Sequence, residues 1–368
     1  MPKAQETVLE IDLKSLEHNY RFLRSQLKPE TKFLSVVKAF AYGNDADQIA
    51  LKLQELGTDY FAVAYVKEGV ALRKAGITKP ILVLHPQAVN FETLIAYQLE
   101  PSIYSFGVLK QFISVLEQKE SAPYPVHIKF NTGLNRLGFG EKDLKSLLEL
   151  LENQDTLEIV SLFSHLAATE DPKEEVFTRN QIALFEKIST EVSNQLKIQP
   201  IRHILNTSGI LNYTESQYYM VRSGIGLYGY GNDPKFDTKL KPIASLKTIV
   251  SQIHKLDPYE SVGYNRAFIS SKPRVTATLP IGHADGIGRQ YGKGKTLVLV
   301  NGQMAPIIGN VCMDMIMVDI TNIPCKEGDE VILFGPQLSA HEVAKTAGTI
   351  SYELITGISQ RVKRVYSY

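Results

Sequence analysis

Cysteine is nearly absent from this chain, with only Cys312 and Cys325 among 368 residues. That scarcity excludes a disulfide framework and a thiolate metal cluster, and it suits a reducing compartment. The histidines that could ligate metal instead (His127, His165, His203, His254 and His283) are scattered, and neither an HExxH pair nor a CxxC occurs. Net charge is lacking too. Forty Lys and Arg stand against 39 Asp and Glu, for a formal charge of +1, so there is no basic footprint for nucleic acid or an anionic membrane. No uncharged apolar run reaches membrane-spanning length. Glu6, Glu10, Asp12, Lys14 and Glu17 interrupt the opening residues, which lack the apolar centre of a signal peptide. The cytoplasm is therefore the expected location. Internal repeats, low-complexity linkers, a Walker loop and a dinucleotide fingerprint are all missing.

What is present reads as two globular domains, given the length and a hydrophobic fraction of 44%. Asp12 stands at a helix N-cap position, and Leu13, Leu16, Tyr20, Leu23 and Leu27 follow at helical spacing. Short β-rich runs then alternate with helical patterns. They are Phe33 to Val37, Tyr60 to Ala64, Ile81 to Leu84, Pro101 to Tyr104, Val126 to Phe130, Ile159 to Phe163, Ile201 to Leu205 and Tyr219 to Val221. Eight βα units predict an α/β fold, a (β/α)8 TIM-like barrel over 1–240; an open doubly wound sheet satisfies the same pattern. After about residue 240 the runs Ile243 to Ile253, Arg274 to Ile281, Thr296 to Val300, Ala305 to Ile308, Met315 to Ile320 and Glu330 to Phe334 predict a mainly β C-terminal domain over 241–368. Helical periodicity returns around His341 to Thr346 and Ser351 to Ile358.

Reactive groups in such barrels stand at the C-terminal ends of the strands. Lys38, Lys129, His165, Asn206, Thr207 and Arg222 all end or follow apolar runs, so they converge on one rim. Lys38 sits among apolar neighbours that disfavour its ammonium form, and a neutral lysine is an imine-forming nucleophile. The competing reading has its stem packed on the barrel while the charge reaches water. The loops His203 to Gly209 and Arg222 to Gly229 have the small residues and hydroxyls that phosphate binding after the seventh and eighth strands requires, although either could be a simple turn.

The run Val36 to Gly43 resembles the cofactor-lysine segment of alanine racemases. The resemblance continues in one order through Phe61 to Ala64, Asn131 to Gly138, Arg222 to Gly229, Lys241 to Lys247, Pro280 to Gly286, Gly309 to Asp314 and Arg361 to Tyr366. It implies a racemase interconverting L- and D-alanine for cell-wall peptidoglycan, dependent on pyridoxal 5'-phosphate (PLP) carried by Lys38. Tyr42, Thr207, Gly224, Ile225 and Tyr352 would surround the phosphate, with His165 and Asn206 also near the cofactor and Arg222 facing the pyridine nitrogen. Tyr264 would be the second acid/base, contacted by His165 and Arg136. Arg136 and the backbone of Met313 would hold the substrate carboxylate, and Lys129 matches a lysine often carbamylated. The family's shared active sites imply a homodimer.

Thr207 replaces the more usual serine, Asn131 an aspartate, Phe40 an asparagine, Asn265 a glycine and His283 a tyrosine. His283 would alter substrate entry rather than chemistry. The alternatives are a serine or broad-specificity racemase, a PLP decarboxylase, and a non-catalytic PLP-binding barrel. The last lacks a β domain of the kind that carries Tyr264 and Met313 here.

Overall fold

The computed structural model describes residues 4–119, 123–152 and 154–368. The chain forms two compact units. A barrel unit comprises Glu17–Ala41 and Ala46–Leu240; a β unit comprises the chain through Leu16, Tyr42–Asp45 and Lys241–Tyr368. The segment expected to be barrel, 1–240, thus gives its first strand and the Tyr42–Asp45 segment to the β unit.

That first strand, β1 (Val8–Asp12), runs directly into the helix Leu13–Ser25. Asp12 caps the helix as expected, its Oδ1 accepting from the amides of Lys14 and Ser15 at 2.9 and 3.2 Å. Leu27, read as part of the helix, lies beyond its end.

The barrel strands are β2 (Lys32–Val36), β3 (Tyr60–Val63), β4 (Ile81–Val83), β5 (Glu100–Ile103), β6 (Tyr124–Lys129), β7 (Leu157–Phe163), β8 (Ile201–His203) and β9 (Met220–Ser223). They pair in parallel in the order β8-β7-β6-β5-β4-β3-β2-β9. The remaining gap between β8 and β9 is bridged by two backbone hydrogen bonds, Tyr219 N–H to Arg202 O at 3.3 Å and Arg222 N–H to Leu205 O at 3.1 Å. These rule against an open sheet. Strands buried on both faces read as unbroken apolar runs, and Tyr60–Val63 is buried throughout.

The β unit is built on a nine-stranded sheet. Its strands, with β1, are β10 (Ala244–Ile249), β11 (Gln252–Leu256), β14 (Arg274–Leu279), β15 (Leu297–Val300), β16 (Gln303–Ile308), β17 (Ile316–Asp319), β18 (Glu330–Phe334) and β19 (Lys363–Ser367). The order is β11-β14-β17-β16-β15-β18-β10-β1-β19. A separate hairpin pairs β12 (Ser261–Val262) with β13 (Phe268–Ile269). The single run read from Ile243 to Ile253 is two strands. Val250 N–H bonds to Asp329 O while Ser251 N–H bonds to Thr278 O, so the chain changes partners between adjacent residues. Helices Ala340–Thr346 and Ser351–Thr356 lie where periodicity predicted them. No described helix is long and apolar enough to cross a membrane.

Candidate active site

Because the barrel strands are parallel, Lys38 after β2, Lys129 at the end of β6, His165 after β7, Thr207 after β8 and Arg222 in β9 all lie toward the same rim. Lys38 opens a left-handed turn. Ala39, Phe40, Ala41 and Tyr42 have φ of 53°, 56°, 50° and 54°, and Ala41 N–H closes the turn on Val37 O at 3.0 Å. A left-handed L-residue costs about 1–2 kcal/mol, so something must hold this conformation. Glu68 provides the hold. One carboxylate oxygen accepts from Ala39 N–H at 2.6 Å, and the other from Ala64 and Tyr65 N–H at 2.7 and 3.0 Å. Lys38 is half-buried, and burial, followed by repulsion from Arg136, lowers its pKa against the opposing pull of Glu68.

Lys129 is buried, not a surface residue, with its ammonium 5.7 Å from the centre of the Phe163 ring. Burial first, then Arg136, Arg222 and Lys38, bring its pKa down to about 8. Arg222 is buried among neutral acceptors: Ser164 O at 2.7 Å, His203 Nδ1 at 2.7 Å, His165 Nδ1 at 3.1 Å, Ile204 O at 3.2 Å and His203 O at 3.3 Å. A guanidinium only donates, so His165 keeps Nδ1 bare and is neutral; burial and the surrounding cations hold its pKa well below the usual value. Arg136 is exposed on a loop shaped by Asn131, whose Oδ1 accepts from the amides of Gly133 and Asn135 at 3.2 and 2.9 Å. Asn131 therefore organises the turn that presents Arg136.

Thr207 and Ser223 hydroxyls are 3.0 Å apart, and Gly226 N–H reaches Thr207 Oγ1 at 3.3 Å, with Gly224 and Ile225 on the same loop. A Cβ on Gly226 would lie 2.5 Å from Thr207 Cγ2, so this close approach requires glycine. Asn206 uses its side-chain oxygen structurally, accepting from Gly209 N–H at 2.8 Å and Thr169 Oγ1 at 2.9 Å as the cap of the helix Thr207–Asn212.

The β unit presents its own residues. Tyr264 is 72% exposed and Met313 59%. Gly263, at φ 76°, introduces the short turn that carries Tyr264, and Asn265 and Arg266 in that turn are also left-handed. Asn310 Nδ2 ties the turn down by donating to Tyr264 O at 3.0 Å. A cavity of about 470 Å³ lies against Tyr264, with His254, Thr276, Cys312 and Met317 among its other walls. His283 is exposed, and its N–H bonds to Cys312 O, while the next residue, Ala284, donates to Met313 O at 3.0 Å. Tyr42 and Tyr352 meet in this unit with ring centres 6.2 Å apart.

Two family models together match most of the chain: "Alanine racemase, N-terminal domain" over residues 11–232 and "Alanine racemase, C-terminal domain" over 243–366. The chain belongs to the alanine racemase family. It is an amino-acid racemase by that membership. Alanine racemase 1 of Clostridium acetobutylicum is 37% identical over 97% of this chain and 94% of its own length. Among solved structures, alanine racemase from Bacillus anthracis with bound L-Ala-P superposes with a TM-score of 0.92 at 31% identity, covering 100% of this chain and 96% of that one. Alanine racemase from Bartonella henselae with covalently bound pyridoxal phosphate gives 0.90 at 31% identity, covering 99% and 100%.

Sequence reasoning missed Glu68, whose carboxylate holds the backbone just after Lys38. Its signal was available, since it stands three residues after Tyr65 at the opening of the helix Val66–Lys74, a capping position. It also missed Ser164, whose carbonyl accepts from Arg222 and whose hydroxyl is 2.8 Å from Thr132 Oγ1.

Proposed function

We propose that this racemase interconverts L- and D-alanine with PLP, supplying D-alanine for peptidoglycan. The observation that carries the reading is a rim where Arg136 lies close enough to lower the pKa of Lys38, Lys129 and Arg222, with the Glu68 carboxylate acting on Lys38. Such a donor set suits a phosphate and a carboxylate, the two anions that PLP and an amino acid bring. Lys38 would carry the cofactor. Thr207, Gly224 and Ile225 would hold its phosphate with Tyr42 and Tyr352, and Arg222 would face its ring nitrogen. When bound, PLP supplies the electron sink that acidifies the α-carbon.

Arg222 keeps its protons, so it donates to the ring nitrogen without protonating it, which restrains charge delocalisation and disfavours side reactions. Exposed Arg136 would clamp the substrate carboxylate, helped by the backbone of Met313. Lys129, whose pKa of about 8 gives it a larger neutral fraction than an ordinary lysine, is suited to carbamylation, and the carbamate would orient Arg136. Lys38 would move the proton on one face of the α-carbon and Tyr264 of the partner subunit on the other, which makes a homodimer the working enzyme.

The test is incubation of L- and D-alanine in deuterated water followed by chiral analysis. Lys38→Ala should lose the cofactor's covalent absorbance band and all exchange. Tyr264→Phe should keep the band and lose exchange from one enantiomer preferentially. Equal exchange from both enantiomers in that variant would defeat the two-base assignment.

A further inference from the structure

A hydrogen-bonded chain crosses the barrel interior and ends on Arg222. Arg222 Nη1 lies 2.7 Å from His203 Nδ1, His203 Nε2 is 2.9 Å from Ser161 Oγ, Ser161 Oγ is 2.6 Å from His127 Nδ1, and His127 Nε2 is 2.6 Å from a Glu100 carboxylate oxygen. His203, Ser161 and His127 are fully buried. Glu100, the first residue of β5, lies at the opposite end of the barrel strands from the rim that carries Lys38, and its side chain retains slight exposure. His127 and Ser161 are register partners on β6 and β7, so the parallel pairing itself sets them side by side.

The protons along this chain can be placed by counting donors. A guanidinium has no acceptor, so His203 Nδ1 must be bare and Nε2 protonated. That Nε2–H donates to Ser161 Oγ. The single hydroxyl proton of Ser161 then goes to His127 Nδ1, which leaves Nε2–H of His127 to donate to the Glu100 carboxylate. A doubly protonated His127 would give Ser161 two donors and leave its own buried hydroxyl proton without this acceptor, a costly arrangement. Every proton in the chain therefore points from Arg222 toward Glu100. Phe163 stacks on His203 at 4.9 Å and 6° and fixes the imidazole plane.

Among the described residues no carboxylate accepts a hydrogen bond from Arg222; the chain connects it to one through four bonds. We propose that Glu100, His127 and Ser161 are positioning residues for racemisation, acting through His203 to hold the Arg222 guanidinium in one orientation against the cofactor ring. The effect on catalysis rests on the proposed placement of Arg222 at the ring nitrogen; the proton arrangement does not.

The test uses the cofactor-loaded enzyme labelled with ¹⁵N-histidine and long-range ¹H–¹⁵N correlation. Both His127 and His203 should show protonated Nε2 and bare Nδ1. A protonated Nδ1 on either residue overturns the proposal without any variant. Ser161→Ala leaves the Nε2–H of His203 without its acceptor, so it should move the His203 Nε2 and Hε2 signals, shift the cofactor's absorbance band and lower kcat about three- to tenfold while KM for alanine stays within about twofold. Glu100→Ala should act in the same direction. Glu100→Gln, which keeps an oxygen acceptor for His127, should restore both the histidine signals and most of kcat relative to Glu100→Ala. Unchanged His203 signals in Ser161→Ala overturn the chain itself. Disturbed histidine signals with an unchanged absorbance band and kcat overturn the positioning role and place the fault in Arg222's assignment.

Discussion

At the scale of single residues, Lys129 turns environment into a measurable signal. Its amine falls to about 8 from the usual value of 10.5, because burial and three neighbouring cations disfavour the charged form. A base depressed in the fold binds fewer protons there than in the unfolded chain between the two values, so stability rises with pH across that window. Wild-type enzyme without cofactor should gain stability between about pH 8 and 10.5, and Lys129→Met should flatten that gain; chemical denaturation at successive pH values checks it. If the slope is the same in both proteins, Lys129 is not the titrating group. Gly226 offers a second residue-scale test. An alanine Cβ there would meet Thr207 Cγ2 at 2.5 Å and Leu23 Cδ1 at 3.1 Å. Gly226→Ala should cost about 1–3 kcal/mol and weaken PLP binding, read by equilibrium unfolding and by cofactor titration. Unaltered affinity would separate this loop from the cofactor.

At the scale of elements, the barrel was legible in the sequence because parallel strands buried on both faces leave continuous apolar runs. Seven of the eight expected runs, from Phe33 to Val37 onward, contain one observed strand or most of it, and the eighth, Tyr219 to Val221, contains half of Met220–Ser223. What escaped notice has specific physical causes. Val8–Asp12 is a strand that ends on the residue capping the next helix, so one signal hid the other. β10 and β11 form one apolar run because the partner switch at Val250 and Ser251 needs no turn residue. The left-handed turn after Lys38 contains no glycine before Gly43, and it is set by Glu68 from a distant part of the chain. Of the candidate site residues, Lys38, Lys129, His165, Asn206, Thr207 and Arg222 were legible as polar residues ending apolar runs and the others only through the family resemblance, whereas His127 and Ser161 lie mid-strand, where a polar residue facing the barrel interior leaves no motif. The turn can be tested at exposed Ala39. In a right-handed helix Ala→Gly costs about 1 kcal/mol, but at φ 53° glycine relieves a steric penalty of similar size. Ala39→Gly should therefore leave stability unchanged or raise it slightly in urea denaturation; a loss of about 1 kcal/mol would mean that the turn is right-handed.

At the scale of the whole molecule, the fold refuses a cut that the sequence invites. The texture change near residue 240 suggests that 241–368 could stand alone, yet β1 lies inside that unit's sheet, antiparallel to β10 on one side and parallel to β19 on the other. Val8, Leu9 and Ile11 are buried there, each contributing about 1.5–3 kcal/mol. Together with two ladders of hydrogen bonds, this approaches the whole stability of an ordinary domain, about 5–15 kcal/mol. Glu10 adds an ion pair to Lys247 at 2.8 Å, and Lys247 also faces Glu330 at 3.6 Å, so removing β1 leaves a partly buried lysine with a weaker partner. A fragment of 241–368 should accordingly give a collapsed ¹H–¹⁵N spectrum and no cooperative melting transition. Addition of a peptide spanning residues 4–16 should restore dispersed amide signals, because it returns both the missing ladder partners and the apolar side chains. A dispersed spectrum from the fragment alone would show that β19 can close onto β10 without β1, and that the N-terminal strand decorates the β unit rather than completing it.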